Sequence, residues 1–308
     1  MTDSKQVEPT EREFKVGLHR LGESPQKVAL VDDSNLNPLY SRPDLWRYLK
    51  QLVWYRHFIV FEGRSKANQN GTGTALGRAW IILDPLLQTA LYVLVFGVIL
   101  QTSRGMENFV GFLVLGVVFF QNSIKGISSG NTLIQKSQGM IASFQFPIAV
   151  IPSASVMSSF FNGLAPVGVG LVVALITQPE IAFPVSIIGI IPLYVFIHLF
   201  GFGCTLWVAR LTAMVPDLKS VFSICTRALF FLSGVFFTIE RFDGHEALQT
   251  LVRLNPIYQF LASARLMVLE GAWPPAAVWG YMALWALILP LTGMIFFWAG
   301  EDKYALVK

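Results

Sequence analysis

Four side chains at a spacing of four, Asp84, Gln88, Tyr92 and Phe96, put a carboxyl, an amide, a phenol and a phenyl ring on one face of a helix. Residues 80–100 around them are 21 residues with one charge. At ~1.5 Å per residue they make ~31 Å of helix, enough to cross the ~30 Å hydrocarbon core of a bilayer. A carboxyl or amide facing acyl chains costs several kcal/mol, so the stripe is expected to face other protein or a wet passage. Alternatively Asp84 caps the helix with Pro85 in its first turn, which still leaves Gln88, Tyr92 and Phe96 on a protein-facing stripe.

Arg227 is a second charge inside an apolar segment, about two turns beyond Lys219. It either pairs with Asp84, or snorkels to the interface, or meets an anionic head group such as a diphosphate entering from the cytosolic leaflet. Aromatic residues gather in VVFFQNS and LFFLSGVFF. Phe112, Phe119, Phe120, Phe230, Phe231 and Phe237 are either plain packing or, with Tyr92 and Phe96, a path for a chain of sugars. Ring faces stack on the apolar faces of pyranose and furanose without gripping any one residue.

Enzyme chemistry finds no comparable pattern. The chain has no GxxxxGK[ST] phosphate loop, no serine elbow with His and Asp, no HExxH and no CxxC. His19, His57, His198 and His245 are scattered; His198 falls in an apolar segment, where an interhelical hydrogen bond suits it. Glu240, Asp243, His245 and Glu246 form either a polar rim or a cation site. Cys204 and Cys225 both fall in apolar segments and imply no disulfide framework.

The elements that hold these residues follow from composition. The 308 residues are 54% hydrophobic and 14% charged, against roughly 25% charged for a soluble domain; this is an all-α integral membrane protein. The net charge of +4 is informative through its distribution and points to no nucleic acid. Residues 1–43 are polar, lack the apolar core of a signal peptide and read as a disordered cytosolic tail. Residues 44–79 hold an amphipathic interface helix over 44–61, carrying Trp46, Arg47 and Lys50, and a flexible hinge over 63–77. Residues 80–308 hold six spans, near 80–100, 109–127, 152–177, 181–208, 221–239 and 276–299. A polar stretch over 130–146, with Gln135 and Lys136, has room for one short helix. Gly163, Gly168 and Gly170 permit close helix approach.

Between spans five and six, residues 240–275 are too long for a turn and too apolar for a free loop. Their helical pattern breaks at Asn255 and Pro256, so two short re-entrant or interfacial helices are expected, with Arg253, Tyr258 and Arg265 among them. Lys and Arg number 18 on the amino-terminal side of these spans and 4 on the other. That asymmetry places both termini in the cytosol and makes the number of spans even.

In order and spacing, LGRAWIILDPLLQ, FGVIL, LGVVFFQNSIKGISSGNTLIQK, FPIAVIPSASV, FFLSGVFF and LNPIYQFLASARLMVLEG resemble the permease subunit of ABC-2 type polysaccharide exporters. That family moves lipid-linked O-antigen or teichoic acid across the bacterial inner membrane. Within it the chain is most similar to actinobacterial members that export a lipid-linked galactan. One departure is MVPDL, where many relatives place Arg-Asp. The resemblance implies a homodimer of six-span subunits with two copies of a separate ATPase, which carries the ATP and Mg; this chain holds no cofactor. It implies that spans one and five face the central path. By the charge count the helix over 44–61 and the short helix over 132–143 are both cytosolic and adjacent to spans one to three, so Trp46, Arg47, Lys50, Gln135 and Lys136 are the expected ATPase contacts. The segment between spans five and six is the outer element long enough to close the path, so Arg253, Asn255, Pro256, Tyr258 and Arg265 are expected in an outer gate. An exporter of small molecules or antibiotics shares the fold, and a flippase outside the ABC class is the remaining alternative.

With no phosphate loop, the purified chain alone is expected to hydrolyse no ATP, activity appearing only when a second subunit is added. A phosphate-release assay on both preparations checks this, and robust hydrolysis by the chain alone would refute it.

Overall fold

Asp44 accepts a hydrogen bond from the backbone N–H of Trp46 at 3.1 Å and opens α1 (Leu45–Trp54). Trp46 and Trp54 lie exposed on α1 while Tyr48 is fully buried, the two-faced pattern read from the sequence. The helix expected over 44–61 runs further, as α1 and α2 (Arg56–Gln69). The first part of the expected hinge is therefore helical. Gly63 explains why: α2 packs so close to Met157 that a Cβ there would lie 2.7 Å from the Met157 Cβ. In this computed structural model the described residues are 44–69, 76–99, 108–143, 146–178, 183–239 and 244–304, within one unit, Tyr40–Lys308. The tail expected over 1–43 and the rest of the hinge, 70–75, lie outside them.

Every regular element among the described residues is helical. Among the described residues five helices are long and apolar enough to cross a membrane: α3 (Trp80–Ile99), α4 (Phe109–Gly130), α7 (Val150–Ile176), α8 (Val185–Met214) and α12 (Ala276–Trp298). The last seven residues of α3, Val93–Ile99, are wound as a π-helix. Two short helices, α5 (Leu133–Lys136) and α6 (Gln138–Ser143), fill the polar stretch where one was expected. The segment expected to span over 221–239 is α9 (Leu218–Leu232), 15 residues long. That is ~22 Å of helix, ended by a tight turn in which Gly234 takes a φ of +70°.

The two helices expected after it are α10 (Glu246–Arg253) and α11 (Pro256–Leu269). They break where the sequence breaks. The Asn255 side chain accepts from the Ile257 N–H at 3.0 Å, and Pro256 takes the first helical position, where its missing N–H costs nothing. A last short helix, α13 (Glu301–Tyr304), follows α12.

The core is built around α4, whose Leu113, Val114, Leu115, Val117, Val118 and Phe119 are all but fully enclosed. It packs against α7, α8 and α11, and α8 in turn packs against α12. The α4–α8 crossing is backbone to backbone: a Cβ on Gly126 would collide with the Gly201 carbonyl. Thr205 closes the contact by donating to Gly126 O at 3.1 Å and Gly201 O at 2.8 Å. Of the glycines read as close-approach sites, Gly163 faces Asn122, Gly170 faces Val118, and Gly168 faces open space.

A second cluster, including Tyr48, Ile134, Ile141, Ile148, Leu206 and Phe297, joins seven helices on the side that carries the short α5 and α6. Here the amides just ahead of α7 are met by distant side chains. Ala149 N–H donates to the Tyr48 hydroxyl at 2.9 Å, and Ile148 N–H donates to Glu301 Oε1 at 2.8 Å. Burial pushes the pKa of Glu301 from 4.5 up to about 7, with the neighbouring Asp302 adding repulsion and the Ile148 N–H only partly offsetting it.

A raised carboxyl pKa means that the folded chain prefers the neutral form, so this contribution is fully present below pH 4.5 and lost as pH rises through about 7. At ~1.36 kcal/mol per unit the shift corresponds to about 3 kcal/mol. Glu301→Gln removes the charge and keeps an acceptor for Ile148. It is expected to raise the thermal midpoint in detergent at pH 8.5 by ~5 °C and to change it little at pH 4. A lower midpoint than the parent at both values would contradict this.

Candidate functional site

The four-spaced stripe stands on α3, tied to the core helix behind it. Gln88 Nε2 donates to Asp84 Oδ2 at 3.1 Å, and Gln121 Nε2 on α4 donates to Gln88 Oε1 at 2.8 Å. Asp84 is no cap: α3 starts at Trp80, with Ala79 before it and Pro85 inside the helix, so the carboxyl projects from the second turn. Nor does Asp84 pair with Arg227. Arg227 is on α9, where its Nε donates to its own helix at Ser223 O, 3.2 Å away. The single ion pair among the described residues joins Lys66 to Glu62 on α2.

Further along α3 the aromatic residues meet those of α4 and α9. Tyr92 lies 5.5 Å from Phe230 and 5.0 Å from Phe236 between ring centroids, and Phe96 stacks on Phe236 at 4.3 Å. Phe120 adds an edge contact to Phe230 at 5.0 Å, and Phe231 joins the group at 5.5 Å from Phe230. Phe236 sits at the centre of this cluster and was not singled out from the sequence, which favoured Phe237, now half-buried beside it. Reading on at helical spacing past Leu232 points at Phe237; the turn at Ser233 and Gly234 shifts the phase and aims Phe236 inward instead. Phe112 and Phe119 lie elsewhere, Phe119 enclosed in the core and Phe112 flat beneath the Arg265 guanidinium at 3.4 Å.

A cavity of about 1270 Å³ opens between α2, α3, α4 and α7, with Asp84 on its wall. Most of its lining residues carry a polar group. On α4 Gln121, Lys125 and Ser129 recur at four-residue spacing, and across from them α7 presents Ser155, Ser159 and Asn162. None of these was singled out as a site residue. The signal was the same spacing that marked Asp84, but Lys125 was counted as a charge at the end of a span, and α4 continues beyond it to Gly130.

The remaining candidates fall into two groups. Trp46, Arg47 and Lys50 are exposed on α1, with the Lys50 ammonium 5.4 Å from the Trp46 ring, and Lys136 is exposed at the end of α5. Gln135 is instead tied down, donating to Thr212 O at the end of α8 at 3.1 Å. At the other group, Asn255 Nδ2 donates to Ser233 Oγ at 2.9 Å, Pro256 begins α11, Tyr258 packs against Gly234, and Arg253 is exposed. Arg265, read as a charge of an outer segment, is 6% exposed and donates to Phe112 O, Gly234 O and Val235 O at 2.7–3.1 Å. Glu240 and Asp243 lie outside the described residues, and among those described no three His, Cys, Asp or Glu come together as a metal site.

Comparison of the sequence with known proteins identifies the family. The sequence pattern described as ABC-2 type transporter covers residues 68–269. A protein named O-antigen export system permease protein RfbA, from Myxococcus xanthus, is 22% identical over 263 residues, covering 84% of this chain and 98% of that protein. Its namesake from Klebsiella pneumoniae is 22% identical over 209 residues, covering 64% of this chain and 74% of that protein. The chain therefore belongs to the ABC-2 type transporter family, as a multi-pass membrane permease.

Proposed function

We propose that this chain is the membrane subunit of an ATP-driven exporter that moves a lipid-linked polysaccharide, of O-antigen, teichoic acid or galactan type, across the bacterial inner membrane. The observation that carries this reading is the group of rings that α3, α4 and the end of α9 bring together, Tyr92, Phe96 and Phe230 half-buried against buried Phe120 and Phe236, with Phe231 exposed at its edge. A sliding polymer needs many weak, similar contacts, favourable enough to enter and weak enough to leave. Stacking on ring faces meets that need; a ring of hydrogen bonds would hold the chain still. The relatives named as O-antigen export permeases support the same substrate class.

On this reading two copies of the chain form a homodimer, each with six spans counting α9 and the turn that ends it. The apolar side of α3, with Leu87, Leu91 and Leu94 exposed, and the exposed side of α9, with Val221, Ile224 and Phe231, face the second copy and the path between them. Both termini lie in the cytosol, as the Lys and Arg count favours. Two copies of a separate ATPase, holding ATP and Mg, dock where α1 presents Trp46, Arg47 and Lys50 and α5 presents Lys136. Gln135 passes their movement to α8 through Thr212. Arg227 is the charge that the anionic head group meets on entry, and α10 and α11, hinged at Asn255 and Pro256, close the outer end.

Tyr92→Ala combined with Phe96→Ala is expected to cut polymer export at least fivefold while co-purification with the ATPase stays unchanged. Surface-polymer labelling beside a pull-down checks it, and normal export by the double variant removes the aromatic path. For the coupling surface, a cysteine at position 136 is expected to cross-link to the ATPase in a nucleotide-dependent way. Failure to cross-link in every nucleotide state counts against that surface.

A further inference from the structure

The cavity holds a charge with no ion-pair partner among the described residues. Lys125 sits on α4 five residues before the helix ends, half-buried and lining the cavity, with no carboxylate in ion-pair range among the described residues. The cavity's carboxylate, Asp84, is engaged by Gln88, and its other inner cation, Lys66, is paired with Glu62. A lone ammonium at this depth is costly and calls for an anion or a function. Around it the walls offer hydroxyls and amides, and Asn122 next to it keeps a buried Oδ1 acceptor without a partner. An ammonium among alcohols and amides suits a phosphate ester joined to a sugar: the charge holds the phosphate, and the neutral groups exchange hydrogen bonds with sugar hydroxyls. At about 1270 Å³ the space admits a group of that size.

We infer that this cavity is a seat for a sugar pyrophosphate, with Lys125 as the group that holds its phosphates and the serine and asparagine face of α7 as its sugar wall. This deepens the export reading, on which it rests, by placing the head group between α3, α4 and α7 rather than at Arg227 alone. Lys136, also on the lining, adds attraction, and Asp84 on α3 repels the phosphates toward Lys125 on α4.

The test is binding to the full-length chain in lipid nanodiscs, read by thermophoresis, with three probes: farnesyl pyrophosphoryl-N-acetylglucosamine, UDP-N-acetylglucosamine and inorganic pyrophosphate. Lys125→Gln is expected to weaken binding of the farnesyl probe at least tenfold and Lys125→Arg less than threefold. Ser128→Trp, which fills the mouth from an exposed position, is expected to weaken it tenfold with Lys125 intact. Lys303→Gln, exposed on α13, serves as a surface control without effect. Binding of the farnesyl probe alone supports a head group arriving from the leaflet; equal binding of UDP-N-acetylglucosamine supports the same seat filled from the cytosol. Binding unchanged in both Lys125→Gln and Ser128→Trp overturns the seat, as does a tenfold loss confined to Arg227→Gln. Polymer export by the parent chain is measured in parallel. Its absence would sink the export reading, while the binding series still decides the seat.

Discussion

One guanidinium holds the end of α9 in place. The turn after Leu232 stops the helix within an apolar surrounding, and backbone carbonyls freed there have no water to turn to. Arg265 takes two of them, Gly234 O and Val235 O, adds Phe112 O from α4, and lays its plane on the Phe112 ring. A rigid fork of donors does this where a lysine could not. Glycine at 116 leaves the room, since a Cβ there would strike the Arg265 Nη2. Helices α4 and α11 and the turn are thereby locked together, and the short α9 becomes tolerable.

The direction of the aromatic row follows from that lock. Val235 and Phe236 are buried because the turn is pinned, and Phe236 reaches back to Phe96, Tyr92 and Phe230. The polar half of the molecule rests on the same helix from its other end. Gln121, four residues beyond Val117, anchors Gln88 and through it Asp84, while Lys125 and Ser129 turn toward α7. One core helix thus presents rings at one level and hydrogen-bonding groups at the next, because its neighbours differ along its length.

Much of this was legible in the residue order. Spans are fixed by length and hydropathy, so α4 and α12 begin where expected, and the Asn255–Pro256 break is a purely local signal. The stripe from Asp84 to Phe96 was visible at a spacing of four. What escaped depends on groups that carry no side-chain pattern. Arg265 resembles any loop arginine until its partners are known, and they are carbonyls. Phe236 took the place expected for Phe237 because a turn broke the helical phase. Lys125 passed for a charge at a span's end because the helix runs five residues further. The short α9 hid behind apolar residues that continue past its stop, through Val235, Phe236 and Phe237.

The cap on α7 bears on how the chain is assembled. Its donors at Ile148 and Ala149 are answered by a tyrosine about 100 residues earlier and a glutamate about 150 residues later. A ribosome making this chain delivers α7 to the membrane long before Glu301 exists, so its start waits without that partner until Glu301 has been made. The start of the third long hydrophobic passage is thereby tied to the arrival of α13, and a nascent chain cut short before Glu301 leaves an amide unanswered about 150 residues upstream.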